Sequence, residues 1–169
     1  MMSAPEHPVT VRMPTDQGPT APAHKILLAT DLSPTSGPAT DGAFATARRM
    51  GAQLLVVSVI DSTSLRLPGG RFDARVDQVR SRREVAAQEL VQRGRREGVR
   101  VTFLVWEGDP GDSILEAARA ESADMIVLGS HGRGAIGRLL LGSVSQHVVR
   151  HADVPVVVVP HDADVIADQ

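Results

Sequence analysis

Five short apolar runs, each separated from the next by a helical pattern, constrain the fold of this chain more than any other feature. The runs are KILLAT (25–30), QLLVVSVI (53–60), VRVTFLVW (99–106), DMIVLG (124–129) and VPVVVVP (154–160). Near-continuous Val, Ile and Leu predict strands that are buried on both faces, as in a parallel sheet. The alternating order predicts a single-domain α/β fold with an open five-stranded parallel sheet and helices on both faces.

The helical patterns differ in length and charge. The first is expected to become regular near Ala39, because Gly37 and Pro38 interrupt it, and to end at Gly51. The second, 73–98, carries seven arginines and five acids, which predict a solvated helix face opposite an apolar one. The remaining helices are predicted at 110–122 and 143–152.

The ends of the chain differ from its middle. Residues 1–23 contain five prolines and no helical or strand period, which predicts a disordered tail. The domain itself is expected to span 24–161, followed by a short C-terminal tail at 162–169. The segment 62–72 is the one long internal loop, a length typical of lids or mobile segments.

Composition excludes several classes of function. With 18 basic and 20 acidic residues, the chain has no strong field for nucleic acid or an anionic membrane. It has no cysteine, which excludes disulfides, thiolate metal sites and cysteine nucleophiles. No apolar run is long enough to span a membrane, and the start lacks a signal pattern. We therefore expect a cytoplasmic protein without a nucleic-acid or membrane partner.

A glycine-rich stretch, GSHGRGAIGRLLLGS (129–143), follows the fourth run and holds five of the fifteen glycines. Glycines this dense after a strand favour a backbone that surrounds a phosphate. In an open parallel sheet, ligands bind outside the carboxyl ends of the strands. The stretch therefore shares the ligand edge with Thr30 and Asp31 after the first run, and with Val59 at the end of the second.

Three phosphate motifs can be aligned with this stretch. A Walker A loop would need a lysine and a hydroxyl where the chain has Arg138 and Leu139. The dinucleotide fingerprint matches Gly132, Gly134 and Gly137, but that motif belongs to a first β-α-β unit, and here only one strand follows. The third spacing is Gly-x2-Gly-x9-Gly-Ser over 129–143, which places phosphates between two glycine clusters and the start of the last helix.

This third spacing resembles the nucleotide-binding motif of the universal stress protein family. The segments KILLATDLSP, VVSVID and DMIVLGSHGRGAIGRLLLGSVSQHVVRHADVPVVVVP are similar to that family as well, so the resemblance covers Lys25 to Pro160. It implies a Rossmann-like sheet with strand order 3-2-1-4-5. Because the glycine motif is complete, the resemblance favours the ATP-binding branch of the family.

The resemblance also implies which residues hold the nucleotide. The nucleoside contacts come from Ala29, Thr30 and Asp31, and a backbone contact to adenine comes from Val59. Phosphates and ribose are held by Leu128, Gly129, Ser130, His131, Gly132, Arg133, Gly134, Gly142, Ser143, Val144 and Ser145. Mg²⁺ or Mn²⁺ would bind through the ATP phosphates, and no catalytic residue or protein metal ligand is predicted.

Two groups of residues have a structural interpretation as well. Asp31 can cap the next helix together with Ser33. His147 and His151 have a metal-ligand spacing, but no third ligand is evident, so a helix-face pair without metal is the prediction.

The predicted function is an ATP-binding, nucleotide-gated stress-response and signalling dimer. Strand 154–160 is expected to form the homodimer contact, because the resemblance implies it and because an apolar edge strand needs a cover. The alternatives are a slow ATPase or phosphotransferase of the same fold, and a dimeric adaptor that binds no ligand.

Overall fold

The computed structural model describes residues 24–61, 72–130 and 141–160, which alternate strands and helices along the chain. The strands are β1 (Lys25–Ala29), β2 (Gln53–Ile60), β3 (Val101–Glu107), β4 (Met125–Gly129) and β5 (Val156–Val159). The α-helices are α1 (Gly37–Met50), α2 (Phe72–Glu97), α3 (Pro110–Ala120) and α4 (Ser143–His151). The predicted tails at 1–23 and 162–169, and nearly all of the predicted 62–72 loop, lie outside the described residues.

The strands form one parallel sheet in the order β3-β2-β1-β4-β5, which confirms the predicted fold. The chain first adds strands on one side of β1 and then crosses to the other side with β4. Ala29, the last residue of β1, is in register with Val57 of β2 and with Leu128 of β4. The strand order therefore reverses at β1, and the carboxyl ends of β1 and β4 flank the switch point.

The core has two halves, one on each face of the sheet. Helices α1 and α2 cover the half that contains Leu28 and Phe44, whereas α3 and α4 cover the half that contains Leu27 and Leu115. Successive residues of a strand point to opposite faces, so a strand covered on both sides is apolar at every position. This explains why the runs in the sequence are continuous rather than alternating.

The start of α1 was wrongly predicted. A 3₁₀ turn at Pro34–Ser36 leads directly into an α-helix that begins at Gly37, not near Ala39. Pro38 lies in the first turn, where its missing N–H removes no hydrogen bond from the helix. The proline is therefore compatible with the first turn of α1 and does not shift the start of the helix toward Ala39.

The prediction that the charged face of α2 is solvated is wrong at Arg83, because this residue is only 9% exposed. Its Nη1 donates to the hydroxyl of Ser58, a fully buried residue of β2, at 2.8 Å. One turn earlier, Arg80 forms an ion pair with Glu107 at the end of β3. Both arginines therefore hold α2 against the carboxyl ends of β2 and β3.

Arg93 is a second exception on α2. Its guanidinium lies 4.2 Å from the centre of the Phe44 ring and also bonds to Asp41 and Glu97. Burial acts to lower the pKa of Arg93, but the bonds to Glu97 and Asp41 outweigh burial and hold the pKa above its ordinary value. Arg93 thus packs α2 against α1 as a permanent cation.

Among the helices that the structure describes, none combines the length and the apolar composition that a membrane crossing requires.

Candidate functional site

The chain leaves β1 through a tight turn at the carboxyl edge of the sheet. Thr30, 8% exposed, donates its N–H to the carbonyl of Val57 at 3.0 Å, and its Oγ1 accepts from the N–H of Leu32 at 3.0 Å. Leu32 has a positive φ of 60°, an uncommon conformation for a residue other than glycine. This turn fixes the backbone of Asp31 at the edge, beside the end of β2.

Asp31 closes the turn before α1. Its structural interpretation predicted a helix cap, but the N-cap residues are Ser33 for the 3₁₀ turn and Ser36 for α1, and the bonds of Asp31 go to Ser33. Its Oδ1 accepts from the N–H of Ser33 at 2.9 Å and from the hydroxyl of Ser33 at 2.6 Å. Both bonds use the same carboxylate oxygen. The carboxylate is therefore held at the edge of the sheet by the turn that it closes.

The start of α4 is attached to the end of β4. Gly142 donates its N–H to the carbonyl of Ser130 at 2.8 Å, and the hydroxyl of Ser145 donates to the carbonyl of Gly129 at 2.8 Å. Ser130 in turn donates its N–H to Val159 of β5 at 2.9 Å. The structure therefore brings together the two ends of the glycine-rich stretch, although they are separated in sequence.

The first turn of α4 presents backbone donors toward this edge. The first hydrogen bond of the helix runs from the N–H of Gln146 to the carbonyl of Gly142 at 2.9 Å. The N–H groups of Ser143, Val144 and Ser145 therefore have no acceptor within the helix. Gly142 is the N-cap and offers no side chain to cap them, so the positive end of the helix dipole faces the ligand edge.

Two donors expected from the sequence are already used inside the protein. The N–H of Gly142 bonds to Ser130, and the hydroxyl of Ser145 bonds to Gly129. They fix the geometry of the candidate site, which leaves the N–H groups of 143–145 as backbone donors without an acceptor inside α4. The predicted positions His131, Gly132, Arg133 and Gly134 lie outside the described residues.

The remaining predicted residues belong to the half of the core that α3 and α4 cover. Leu128 is 4% exposed, while Val59 and Val144 are half-buried against the same apolar cluster. Val59 lies two residues beyond Val57, the register partner of Ala29, and so it lies level with Asp31. The carboxyl ends of β1, β2 and β4 and the start of α4 thus form one continuous edge.

The contact between α3 and α4 was not predicted. His147 on α4 bonds through Nε2 to Oδ1 of Asp112 at 2.7 Å, and its ring covers Gly111. His151 donates from Nδ1 to the carbonyl of His147 at 2.8 Å. Gly111 and His147 are far apart in sequence, so no local pattern predicts their contact. The available signals were a glycine within a helix and a histidine on the neighbouring helix.

The histidine pair serves helix packing in this structure. The rings of His147 and His151 lie with their centres 4.4 Å apart. Within residues 24–61, 72–130 and 141–160, no group of three or more His, Asp or Glu residues is arranged to hold a metal ion.

The fold defines an α/β protein with a Rossmann-like parallel sheet, whose topological switch point is the position where such sheets bind ligands. A family model described as the universal stress protein family matches residues 22–160, and the chain belongs to that family of stress-response proteins. The predicted family is thus confirmed.

Relatives and solved structures agree with this assignment. A universal stress protein of Thermus aquaticus is 39% identical over 135 residues, which cover 79% of this chain and 96% of the relative. Universal stress protein MJ0531 of Methanocaldococcus jannaschii is 31% identical, covering 80% of this chain and 81% of the relative. A crystal structure of a family member from Burkholderia pseudomallei is 30% identical, with a TM-score of 0.69, covering 84% of this chain and 99% of that one.

Two further solved structures share the fold at 24% identity. One is a universal stress protein in complex with cAMP, with a TM-score of 0.59, covering 82% of this chain and 97% of that one. The other is from Archaeoglobus fulgidus in complex with dAMP, also with a TM-score of 0.59, covering 80% of this chain and 97% of that one.

Proposed function

We propose that this protein binds an adenine nucleotide, ATP with Mg²⁺ or Mn²⁺ on its phosphates, at the edge formed by β1, β2, β4 and α4. The observation that carries the proposal is the start of α4, where the N-cap Gly142 has no side chain and its bond to Ser130 holds the helix beside the end of β4. Backbone donors at a helix start form a binding site for phosphate.

The residues present fit the parts of the ligand. The amides of 143–145 supply donors to phosphate oxygens, and the helix dipole adds about 0.3–1 kcal/mol. Asp31 offers a carboxylate to the ribose hydroxyls, which are donors, and we expect the backbone of Val59 to contact the adenine ring. The complexes of two fold relatives with cAMP and dAMP support an adenine nucleotide as the ligand.

The site and the proposed dimer contact are connected through α4. Its first turn receives the phosphates, and its last residue, His151, leads through residues 152–155 into β5. Strand β5 pairs with β4 alone among the described strands, and Val157 on it is 42% exposed. A second copy that covers this edge buries Val157, and a nucleotide that holds the start of α4 alters what the dimer presents to its signalling partners.

Two measurements test the nucleotide site. Mass spectrometry of the protein purified under native conditions identifies any bound nucleotide, and thermal unfolding with Mg-ATP measures the stabilisation. At a concentration 100-fold above Kd, ATP is expected to add about 2.7 kcal/mol to the free energy of unfolding. If no adenine nucleotide is retained and none shifts the unfolding midpoint, the proposal is wrong.

A Gly142→Val variant tests the phosphate position. Gly142 has φ −60° and ψ 161°, an extended conformation that valine adopts readily, so the variant is expected to fold. Its branched side chain occupies space in front of the amides of 143–145, and we expect the shift with Mg-ATP to disappear. Full ATP binding by a folded Gly142→Val protein contradicts the phosphate assignment.

A further inference from the structure

A groove lies at the amino edge of the sheet, away from the proposed nucleotide site. It has a volume of about 120 Å³, opens to solvent and runs between the end of α3 and the segment that joins α4 to β5. Its lining is mainly apolar and includes Leu115, Ala118, Ala123 and Val154. Strands β4 and β5 begin directly after residues 122–124 and 152–155, so this amino-edge groove lies where the parallel strands start.

The size and the rim of the amino-edge groove suit an apolar side chain from a peptide. A dry apolar cavity of about 150 Å³ holds a benzene molecule, so this groove has room for one side chain of similar bulk. At its rim, Nε of Arg119 donates to Oδ2 of Asp153 at 2.8 Å, and both side chains are exposed. An apolar floor with a charged rim is the arrangement that receives an apolar anchor from a polar segment.

The N-terminal segment of the chain joins the fold beside this groove. The backbone N–H of Lys25 donates to Oδ2 of Asp124 at 2.8 Å, and its Nζ donates to the carbonyl of Glu121, also at 2.8 Å. Glu121 and Asp124 directly flank residues 122–123 of the groove. Segment 1–23, which lies outside the described residues, is therefore attached within a few residues of the groove.

Apolar side chains within the N-terminal segment are concentrated at 9–13, VTVRM, between two prolines. A residue that precedes proline favours an extended backbone, and in an extended segment every second side chain points to the same side. Val11 and Met13 therefore face one surface together, while Arg12 points away from it into water. Five residues are too few for a core of their own, so such a segment gains order only from a surface that it binds.

The chain between this segment and the fold is long enough to reach the groove. Met13 is eleven residues before His24, and eleven extended residues span up to about 36–40 Å. Attachment through a short linker also raises the effective concentration of the segment to the millimolar range, so a weak contact is sufficient.

We propose that segment 9–13 docks in the amino-edge groove of its own chain, with the side chain of Met13 as the anchor. Methionine is unbranched and flexible, so it fills irregular apolar gaps well. The docked segment contacts residues 152–154, which lead into β5, the strand of the proposed dimer contact. The N-terminal segment is thus an intramolecular ligand of the edge opposite the nucleotide site, and the proposal does not depend on nucleotide binding.

A spin label at the rim of the groove tests the proposal in the full chain. The chain has no cysteine, so Ser122→Cys gives a nitroxide one attachment point, at an exposed position of the groove. The nitroxide weakens the NMR signals of amides that come close to it. Along an undocked tail this signal loss decreases steadily from residue 23 toward residue 1, whereas docking is expected to give a second maximum at 9–13.

Two matched variants identify the anchor. Met13→Asp would place a charge in the apolar groove and is expected to abolish the maximum at 9–13. Met2→Asp makes the same change outside the segment and should retain the maximum. If Ser122→Cys does not fold, Arg119→Cys on the last turn of α3 provides a second exposed label position at the rim, with the same maximum expected.

A mixed sample shows which molecule the segment binds. Protein that carries the nitroxide but no isotope label is combined with isotope-labelled protein that has no nitroxide. Full signals at 9–13 in this mixture, together with their loss in the doubly labelled chain, support docking within one molecule. Signal loss at 9–13 in the mixture places the segment on a second copy and overturns the proposal. A steady decrease along the tail, or a maximum that survives Met13→Asp, also overturns it.

Discussion

The guanidinium of Arg83 donates to the hydroxyl of Ser58 at 2.8 Å, across the interface between α2 and the sheet. Ser58 is fully buried and immediately precedes Val59, the proposed adenine contact. This hydrogen bond therefore holds α2 against β2 at Ser58, the residue next to the proposed adenine contact. A charged side chain in this position stabilises the fold only while its hydrogen bonds are complete.

Removing one partner of this buried bond is expected to destabilise the protein. Ser58→Ala takes an acceptor away from a buried guanidinium, at a cost of about 1.5–3 kcal/mol in the free energy of unfolding. Arg83→Ala is expected to cost at least as much, because it also removes packed methylene groups. Arg82→Ala, at the exposed neighbouring position, is the control and should stay within about 0.5 kcal/mol of the wild type in urea unfolding. Equal midpoints for Arg82→Ala and Arg83→Ala would contradict the structural role of Arg83.

Gly111 is required for the close contact of α3 with α4. A Cβ at this position would lie 2.6 Å from Cδ2 of His147, so Gly111→Ala is expected to cost about 1–3 kcal/mol of stability. Adding His147→Ala makes room for the new methyl group, and the double variant should lose less than the sum of the single losses. Gly37→Ala is the matched control, since nothing lies within 4 Å of its added Cβ. Strict additivity in chemical denaturation would show that the two residues do not compete for space.

Asp31 is expected to have two separable roles, in the turn that it closes and in the ligand site. Asp31→Asn keeps an Oδ1 acceptor for the N–H and hydroxyl of Ser33, so the stability without ligand should change by about 0.5 kcal/mol or less. It loses the charge that accepts from the ribose, so ATP affinity should fall about tenfold or more, as measured by calorimetry. Asp31→Ala should lose both the bonds to Ser33 and the ATP affinity. An Asp31→Asn protein that binds ATP like the wild type would leave Asp31 with its role in the turn only.

Val157 is expected to lie in the proposed dimer contact. It is 42% exposed on the edge strand β5, and Val157→Asp places a charge where a second copy would pack. Light scattering should give twice the chain mass of 17.9 kDa for the wild type and a single chain mass for Val157→Asp. Val85→Asp changes a valine that is 61% exposed on α2 and should leave the dimer intact. A dimer that survives Val157→Asp would place the contact elsewhere or exclude the edge pairing.

Much of the fold could be predicted because its signals are local. Continuous Val, Ile and Leu runs indicate strands covered on both faces, and the alternation with helical patterns indicates a parallel sheet. The order 3-2-1-4-5 followed from the family resemblance and not from the runs themselves. Boundaries were less accurate: β3 begins at Val101 rather than residue 99, and α1 begins at Gly37 because its first turn tolerates a proline.

The sequence by itself determined the class of fold, the family and the glycine motif, because apolar periodicity and motif spacing depend only on residues close together in the chain. The tertiary structure decided how those residues are used. It bonds the N–H of Gly142 and the hydroxyl of Ser145 to the end of β4, and it buries Arg83 on a helix face that was predicted to be solvated. It also bonds Nζ of Lys25 to the end of α3. Such contacts depend on strand register and helix packing, which join residues far apart in the sequence and leave no local pattern to read.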